Sequence, residues 1–176
     1  MLTFLLGGAR SGKSTLAVQM AQRQPLPVGF IATAEPFDDD LRERIDRHRL
    51  ERPSHWITVE CPIELAGAVR AVADDHFLIV DCITIWLANL FAHLIDRSEI
   101  SRSVVEFNEA MMERRGPTVV VSNEVGMGVH PETALGREYR DELGRTNQLI
   151  ATTADTTLLL VAGQAIRLED PWEFLQ

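Results

Sequence analysis

Residues 7–14 read Gly7-Gly8-Ala9-Arg10-Ser11-Gly12-Lys13-Ser14, which fits the spacing G-x-x-x-x-G-K-[ST]. Glycines at these positions let the backbone turn tightly. Its N–H groups, together with the start of a following helix, can then converge on an anion. Lys13 is placed to reach the β- and γ-phosphates of a nucleotide, and the Ser14 hydroxyl to ligate Mg²⁺. The context agrees: an apolar run at 2–6 precedes the motif and a helix-forming run at 14–22 follows it. The motif points to a nucleoside triphosphate and leaves the reaction open.

Three further groups could do chemistry. Asp81 ends the apolar run Phe77-Leu78-Ile79-Val80-Asp81. A carboxylate there can hold Mg²⁺ beside a phosphate loop, or cap the helix that starts near Thr84. Thr33 and Glu35 leave a second apolar run, in Ile31-Ala32-Thr33-Ala34-Glu35. After them, Arg44, His48 and Arg52 recur at i, i+4 and i+8 on one helical face, with Arg47 and Arg49 flanking His48. Arginines attract a polyphosphate and disfavour the imidazolium, and a neutral imidazole beside phosphate is a competent nucleophile. The same pattern also describes a solvated face, with Glu43, Asp46 and Glu51 pairing the arginines and His48 idle. Spacing leaves both readings open. His55, His76, His93 and His130 show no paired spacing and read as structural. Asn123-Glu124-Val125-Gly126-Met127-Gly128 follows another apolar run as a glycine-containing loop.

The elements that must position these groups alternate. Residues 2–6, 28–33, 77–81, 118–122 and 157–162 are short continuous apolar runs, as expected of parallel strands covered on both faces. Residues 55–61 alternate, with Ile57, Val59 and Cys61 on one side, and suit an additional or edge strand. Helical patterns cover 14–22, 38–51, 63–73, 84–95, 101–115 and 137–154. The expectation is an α/β three-layer sandwich with a mainly parallel central sheet, in one domain spanning 1–176. Its ligands should sit at the C-terminal ends of the strands. The tail 170–176, with Trp172 and Phe174, either docks or stays loose.

Composition narrows the function classes. Hydrophobic residues make up 45%, which suits a globular protein with a sizeable core. The net charge of −9 disfavours a nucleic-acid partner. Cys61 and Cys82 lack metal-ligand spacing and read as reduced thiols of a cytoplasmic protein. The apolar stretch before the glycines is too short for a secretory signal, and 83–95, broken by Asn89 and His93, is a buried helix rather than a bilayer span.

In order along the chain, several segments carry a family resemblance. They are the phosphate loop, Ile31-Ala32-Thr33, the helix with His48, and Arg52-Pro53-Ser54-His55-Trp56. They continue with Glu60-Cys61, Asp81-Cys82-Ile83-Thr84, Asn123-Glu124-Val125-Gly126-Met127-Gly128 and Gly144-Arg145-Thr146-Asn147-Gln148. The chain resembles the bifunctional adenosylcobinamide kinase / adenosylcobinamide-phosphate guanylyltransferase family of cobalamin biosynthesis, with a P-loop NTPase, RecA-like fold. The resemblance implies ATP and GTP as substrates with Mg²⁺, a corrinoid acceptor and a homo-oligomer, a trimer in the family. It assigns the guanylylated histidine to His48 and catalysis also to Lys13. Nucleotide contacts fall on Gly7, Gly8, Ala9, Arg10, Ser11, Gly12, Lys13, Ser14, Thr33, Ala34, Glu35, Arg49, Leu50, Glu51, Arg52, Glu60 and Asp81, with Ser14 and Asp81 toward the metal. Two departures stand out: Arg47 replaces a frequent second histidine, and the chain from Gln164 onward matches poorly. Competing readings are a plain small-molecule kinase without guanylyl transfer, and a GTP-binding regulatory module.

Overall fold

A computed structural model describes residues 1–35, 52–93 and 96–175. The predicted helix at 38–51, with Arg44, His48, Arg49, Leu50 and Glu51, lies outside the described residues. The described strands are β1 (Leu2–Gly7), β2 (Val28–Ala32), β3 (Ile57–Glu60), β4 (Phe77–Asp81), β5 (Thr118–Val121), β6 (Thr156–Val161) and β7 (Gln164–Leu168). The described helices are α1 (Lys13–Gln22), α2 (Leu65–Ala71), α3 (Ile83–His93), α4 (Arg97–Glu113) and α5 (Ala134–Thr153). A short 3₁₀ turn, Pro171–Phe174, follows β7.

The strands form one sheet in the order β3-β2-β4-β5-β1-β6-β7. All neighbours run parallel except β6 and β7. Leu5 stands opposite both Val121 and Leu158, and Asp81 opposite Ala32 and Val121. The chain therefore leaves β1, β2, β4 and β5 at the same edge.

Continuous apolar runs are explained by two cores. Phe4 and Leu6 face a core with Leu65, Leu87, Phe107 and Leu143, from α2 to α5. Leu5 faces the other, with Ala17 and Ala21 of α1 and with Trp56. Helices on both faces make the expected three-layer α/β sandwich. α3 is a buried helix, with Trp86, Leu87 and Leu90 at most 1% exposed. Among the described residues no helix is long and apolar enough to cross a membrane.

Sequence and structure differ at several boundaries. α4 starts at Arg97 rather than 101, because the Asp96 carboxylate accepts from Ser98 N at 2.8 Å and caps the helix there. α5 starts at Ala134 rather than 137, because Thr133 Oγ1 accepts from Gly136 N at 3.1 Å. β3 is the sheet edge, and Ile57 is consequently 56% exposed rather than core-facing. β7 was not expected from the sequence. It folds back through Ala162 and Gly163, both at positive φ (50° and 75°), the backbone of a tight type I′ hairpin turn. Both cysteines are free.

Candidate active site at the C-terminal edge of the sheet

The phosphate loop is shaped by conformations few residues tolerate. Gly7 and Gly12 hold φ of +149° and +100°. At Gly7 a Cβ would run into the Leu160 carbonyl and lie 2.8 Å from Ser11 Oγ, so this position is closed to any side chain. Gly12 begins α1 without a capping side chain, and the first turn carries no acidic residue. The helix N-terminal N–H groups and the positive end of the helix dipole are thus offered to the loop's concave side. Two neighbours brace the loop. Gly163 N donates to Ser11 O at 3.0 Å, and Glu124 N to Gly7 O at 3.2 Å.

Lys13 is 6% exposed. Its Nζ donates to Gly7 O at 2.9 Å, Gly8 O at 2.7 Å and Ser11 Oγ at 3.3 Å. Burial lowers its pKa below the usual lysine value, and the nearby Asp81 carboxylate works in the opposite direction.

A cavity of about 330 Å³ opens in front of this loop. It is lined by residues 9–15, by Ala32 and Ala34 at the end of β2, by Arg52, and by Glu60 at the end of β3. Asp81 and Cys82 at the end of β4, Val121 and Asn123 at the end of β5, and Ile85 complete it. The Arg52 guanidinium lies 3.7 Å from the centroid of the Phe30 ring, which stacks in turn on Trp56. That ring orients the guanidinium.

Of the sequence-predicted contacts within the described residues, Ala9, Arg10, Ser11, Gly12, Lys13, Ser14, Ala34, Arg52, Glu60 and Asp81 line this cavity. Gly7 is buried beneath it and Gly8 is exposed at its rim, where both give carbonyls to Lys13. Thr33 and Glu35 stand apart. Thr33 is fully buried, and its hydroxyl both donates to Cys82 O and accepts from Cys82 N, each at 2.8 Å. Thr33 O accepts from Asn89 Nδ2 at 2.8 Å, and the same amide reaches Pro62 O at 3.1 Å. Thr33 thus ties the ends of β2 and β4 together, and Asn89 joins them to the chain beyond β3. Glu35 is turned to His93, with Oε2 and Nε2 3.1 Å apart.

Sequence reasoning missed Cys82 and Asn123 as lining groups. The signal was available: each is a first or second residue beyond a continuous apolar run at the edge that carries Asp81. Burial chiefly, and then Asp81, pushes the Cys82 thiol up to about 12, so it stays protonated at neutral pH. The nearby Tyr139 phenol is likewise raised by burial and acts as a donor, to Thr84 O at 2.8 Å.

Mg²⁺ needs hard oxygen donors and keeps part of its shell as water and substrate phosphate. The Ser14 hydroxyl and the Asp81 carboxylate, on one cavity, are donors of that kind. Among the described residues no cluster of three or more His, Cys, Asp or Glu side chains could hold a metal by itself. The donor set therefore fits an ion delivered with a nucleotide.

Known proteins share both the fold and the sequence. The ATPase EscN of an enteropathogenic E. coli type III secretion system superposes with a TM-score of 0.59 at 12% identity, over 92% of this chain and 43% of that one. The RadB recombinase gives 0.50 at 19% identity, over 90% and 73%. These likenesses concern the fold alone, that of P-loop NTPases. Sequence relatives are much nearer. The bifunctional adenosylcobalamin biosynthesis protein CobP of Pseudomonas aeruginosa is 41% identical over 170 residues, covering 96% of this chain and 98% of its own. CobU of Salmonella typhimurium is 36% identical over 182 residues, covering 96% and 100%. The model of the cobinamide kinase / cobinamide phosphate guanyltransferase family matches residues 3–168, from the first strand through β7. With that span matched, this chain belongs to the cobinamide kinase / cobinamide phosphate guanyltransferase family.

Proposed function

We propose that this protein catalyses both reactions of its family: phosphorylation of adenosylcobinamide, and transfer of GMP from GTP to adenosylcobinamide phosphate. The observation that carries the reading is a complete phosphate cradle in a chain that matches the family over nearly its whole length.

In the kinase step the loop N–H groups and the α1 N-terminus hold the phosphates of ATP or GTP, and Lys13 offsets the charge that develops during transfer. In exchange for its bonds to Gly7 O and Gly8 O, Nζ gains phosphate oxygens. The terminal hydroxyl of the corrinoid's aminopropanol arm attacks the γ-phosphorus, its O–P bond forms as its proton passes to solvent, and the bond to the nucleoside diphosphate breaks. Ser14 and Asp81 would hold Mg²⁺, which supplies charge neutralisation at the phosphates when bound.

In the second reaction His48 attacks the α-phosphorus of GTP. The N–P bond forms and the bond to pyrophosphate breaks. A phosphate oxygen of adenosylcobinamide phosphate then displaces the imidazole, giving adenosylcobinamide-GDP. Arg52 and Glu60 on the cavity wall support a nucleotide that extends from the loop toward β2 and β3. Arg49, Leu50 and Glu51, beside His48, complete this side of the reading.

The free thiols and the requirement for GTP support a cytoplasmic setting. A homo-oligomer, a trimer in this reading, is supported by apolar side chains on the outer hairpin and tail: Val161, Ile166, Leu168, Trp172 and Leu175 are 40–72% exposed.

Incubation with GTP labelled at the α-phosphate tests the mechanism. The expected product is a protein adduct that is acid-labile, base-stable and absent from His48→Ala. An adduct that persists in that variant, or none in the unaltered protein, overturns guanylyl transfer through His48. Lys13→Ala should retain its fold and lose phosphorylation of adenosylcobinamide by about 10²-fold or more.

A further inference from the structure

Asn147 stands where packing alone calls for an aliphatic side chain. Leu143, Asn147 and Ile150 are buried positions of α5 at i, i+4 and i+7, and Asn147 is only 5% exposed. Its amide is bonded through both its oxygen and its nitrogen. Oδ1 accepts from Ser122 Oγ at 2.7 Å, and Nδ2 donates to Asn123 O at 3.1 Å.

These two bonds belong to a closed ring. Asn123 N donates to Thr84 Oγ1 at 2.7 Å. Thr84 Oγ1 lies 3.4 Å from Ser122 Oγ, and Ser122 Oγ reaches Asn147 Oδ1. Only one set of proton positions satisfies every member. Asn123 O can only accept, which makes the facing atom of Asn147 its Nδ2 and leaves Oδ1 toward Ser122. Ser122 then donates to Asn147, so the Thr84 hydroxyl donates to Ser122 and accepts from Asn123. Both backbone groups of Asn123 are thereby fixed, the N–H from the β4 side and the C=O from α5. Tyr139, two turns before Asn147, fixes Thr84 through its carbonyl.

The ring matters because of where Asn123 sits. β5 runs between β4, which ends in Asp81, and β1, which opens the phosphate loop. Asn123 lines the cavity. The next N–H, of Glu124, donates to Gly7 O, the same carbonyl that accepts from Lys13 Nζ.

We infer that Asn147 is a positioning residue for phosphoryl transfer: through the ring with Thr84 and Ser122 it holds Asn123 so that the Asn123 amide and Lys13 address the same phosphate. Asn123 is uncharged, so its part is to orient rather than to neutralise. The inference rests on the kinase reading above.

The experiment is a double-mutant cycle read by phosphorylation of adenosylcobinamide. Asn147→Leu keeps the volume and suits the apolar stripe. It should lower kcat about 10-fold, a displacement effect, with the KM for the nucleotide within about twofold. In an Asn123→Ala background the same substitution should lower kcat less than about twofold, because its target is gone. Independent, multiplying losses overturn the inference. So does a fall in melting temperature with kcat unchanged, which is a structural role only. Thr84→Val opens the ring from its other side and serves where Asn147→Leu does not fold. It should show the same kcat loss and the same cancellation, and multiplying losses there count equally against the inference. The unaltered protein is assayed alongside. If it does not phosphorylate adenosylcobinamide, the functional reading fails; if it does and the losses multiply, the positioning role of Asn147 fails alone.

Discussion

Lys13 is an ammonium group largely removed from water and given to two carbonyls and a hydroxyl. Its depressed pKa, caused first by burial, has a signed consequence. Between the folded pKa and the ordinary lysine value of about 10.4, the unfolded chain binds more protons than the folded one. Stability of the ligand-free protein therefore gains from Lys13 as pH rises through that window. Phosphate restores the proton's partner and raises the pKa again. GTP binding in that alkaline window should be accompanied by proton uptake, read by calorimetry in buffers of different ionisation enthalpy, and Lys13→Met should abolish it. The thiols give a second residue-scale expectation. Burial is the main cause that raises both Cys61 and Cys82 above the usual thiol range. A thiol-reactive dye at pH 8 should find no fast-reacting group in the native protein and two after denaturation. At this scale the sequence was legible where chemistry depends on a motif. Lys13 and Ser14 were named from the motif's spacing and Asp81 from the end of an apolar run, and all three line the cavity. That Thr33 clamps Cys82 could not be named so, because it depends on the register of β2 against β4.

Elements decide which of the loop's glycines matter. Gly7 has a positive φ and a carbonyl pressed against its absent Cβ, whereas Gly8 has nothing within 4 Å of that position. Gly7→Ala should destabilise the protein by about 3 kcal/mol or more, and Gly8→Ala by under about 1 kcal/mol. Parallel chemical-denaturation curves check the contrast. The parallel strands were legible because burial on both faces leaves continuous apolar runs. β7 was not. Its residues are exposed throughout, so no periodicity marks it, and Ala162 stands in the turn where asparagine or aspartate would have announced a type I′ hairpin. The early starts of α4 and α5 were hidden for another reason. Asp96 lies before the polar run Arg97-Ser98-Glu99, with no apolar stripe close behind it, and Thr133 lies before a first turn that contains Gly136, a poor helix former.

At the scale of the whole molecule the sheet order explains why one edge gathers so many groups. β1, the donor of the phosphate loop, lies inside the sheet with β5 and β6 as neighbours, and β4 and β2 continue outward on the β5 side. The opposite border is β7, which leaves an open strand edge and apolar side chains toward solvent. An edge of this kind invites a second chain. Light scattering should report an oligomer, and Ile166→Lys should shift its mass toward the monomer without abolishing GTP binding.

The bond from Gly163 N to Ser11 O joins that border hairpin to the phosphate loop. With Glu124 N on Gly7 O as well, the loop backbone is braced from behind before any nucleotide arrives, and only the Lys13 ammonium exchanges partners when phosphate enters. The consequence is kinetic. A loop that need not rearrange gives nucleotide capture a single phase, with an observed rate linear in nucleotide concentration and no plateau that a slow ordering step would impose. Slower events, if stopped-flow traces contain them, belong to later steps than the meeting of triphosphate and loop.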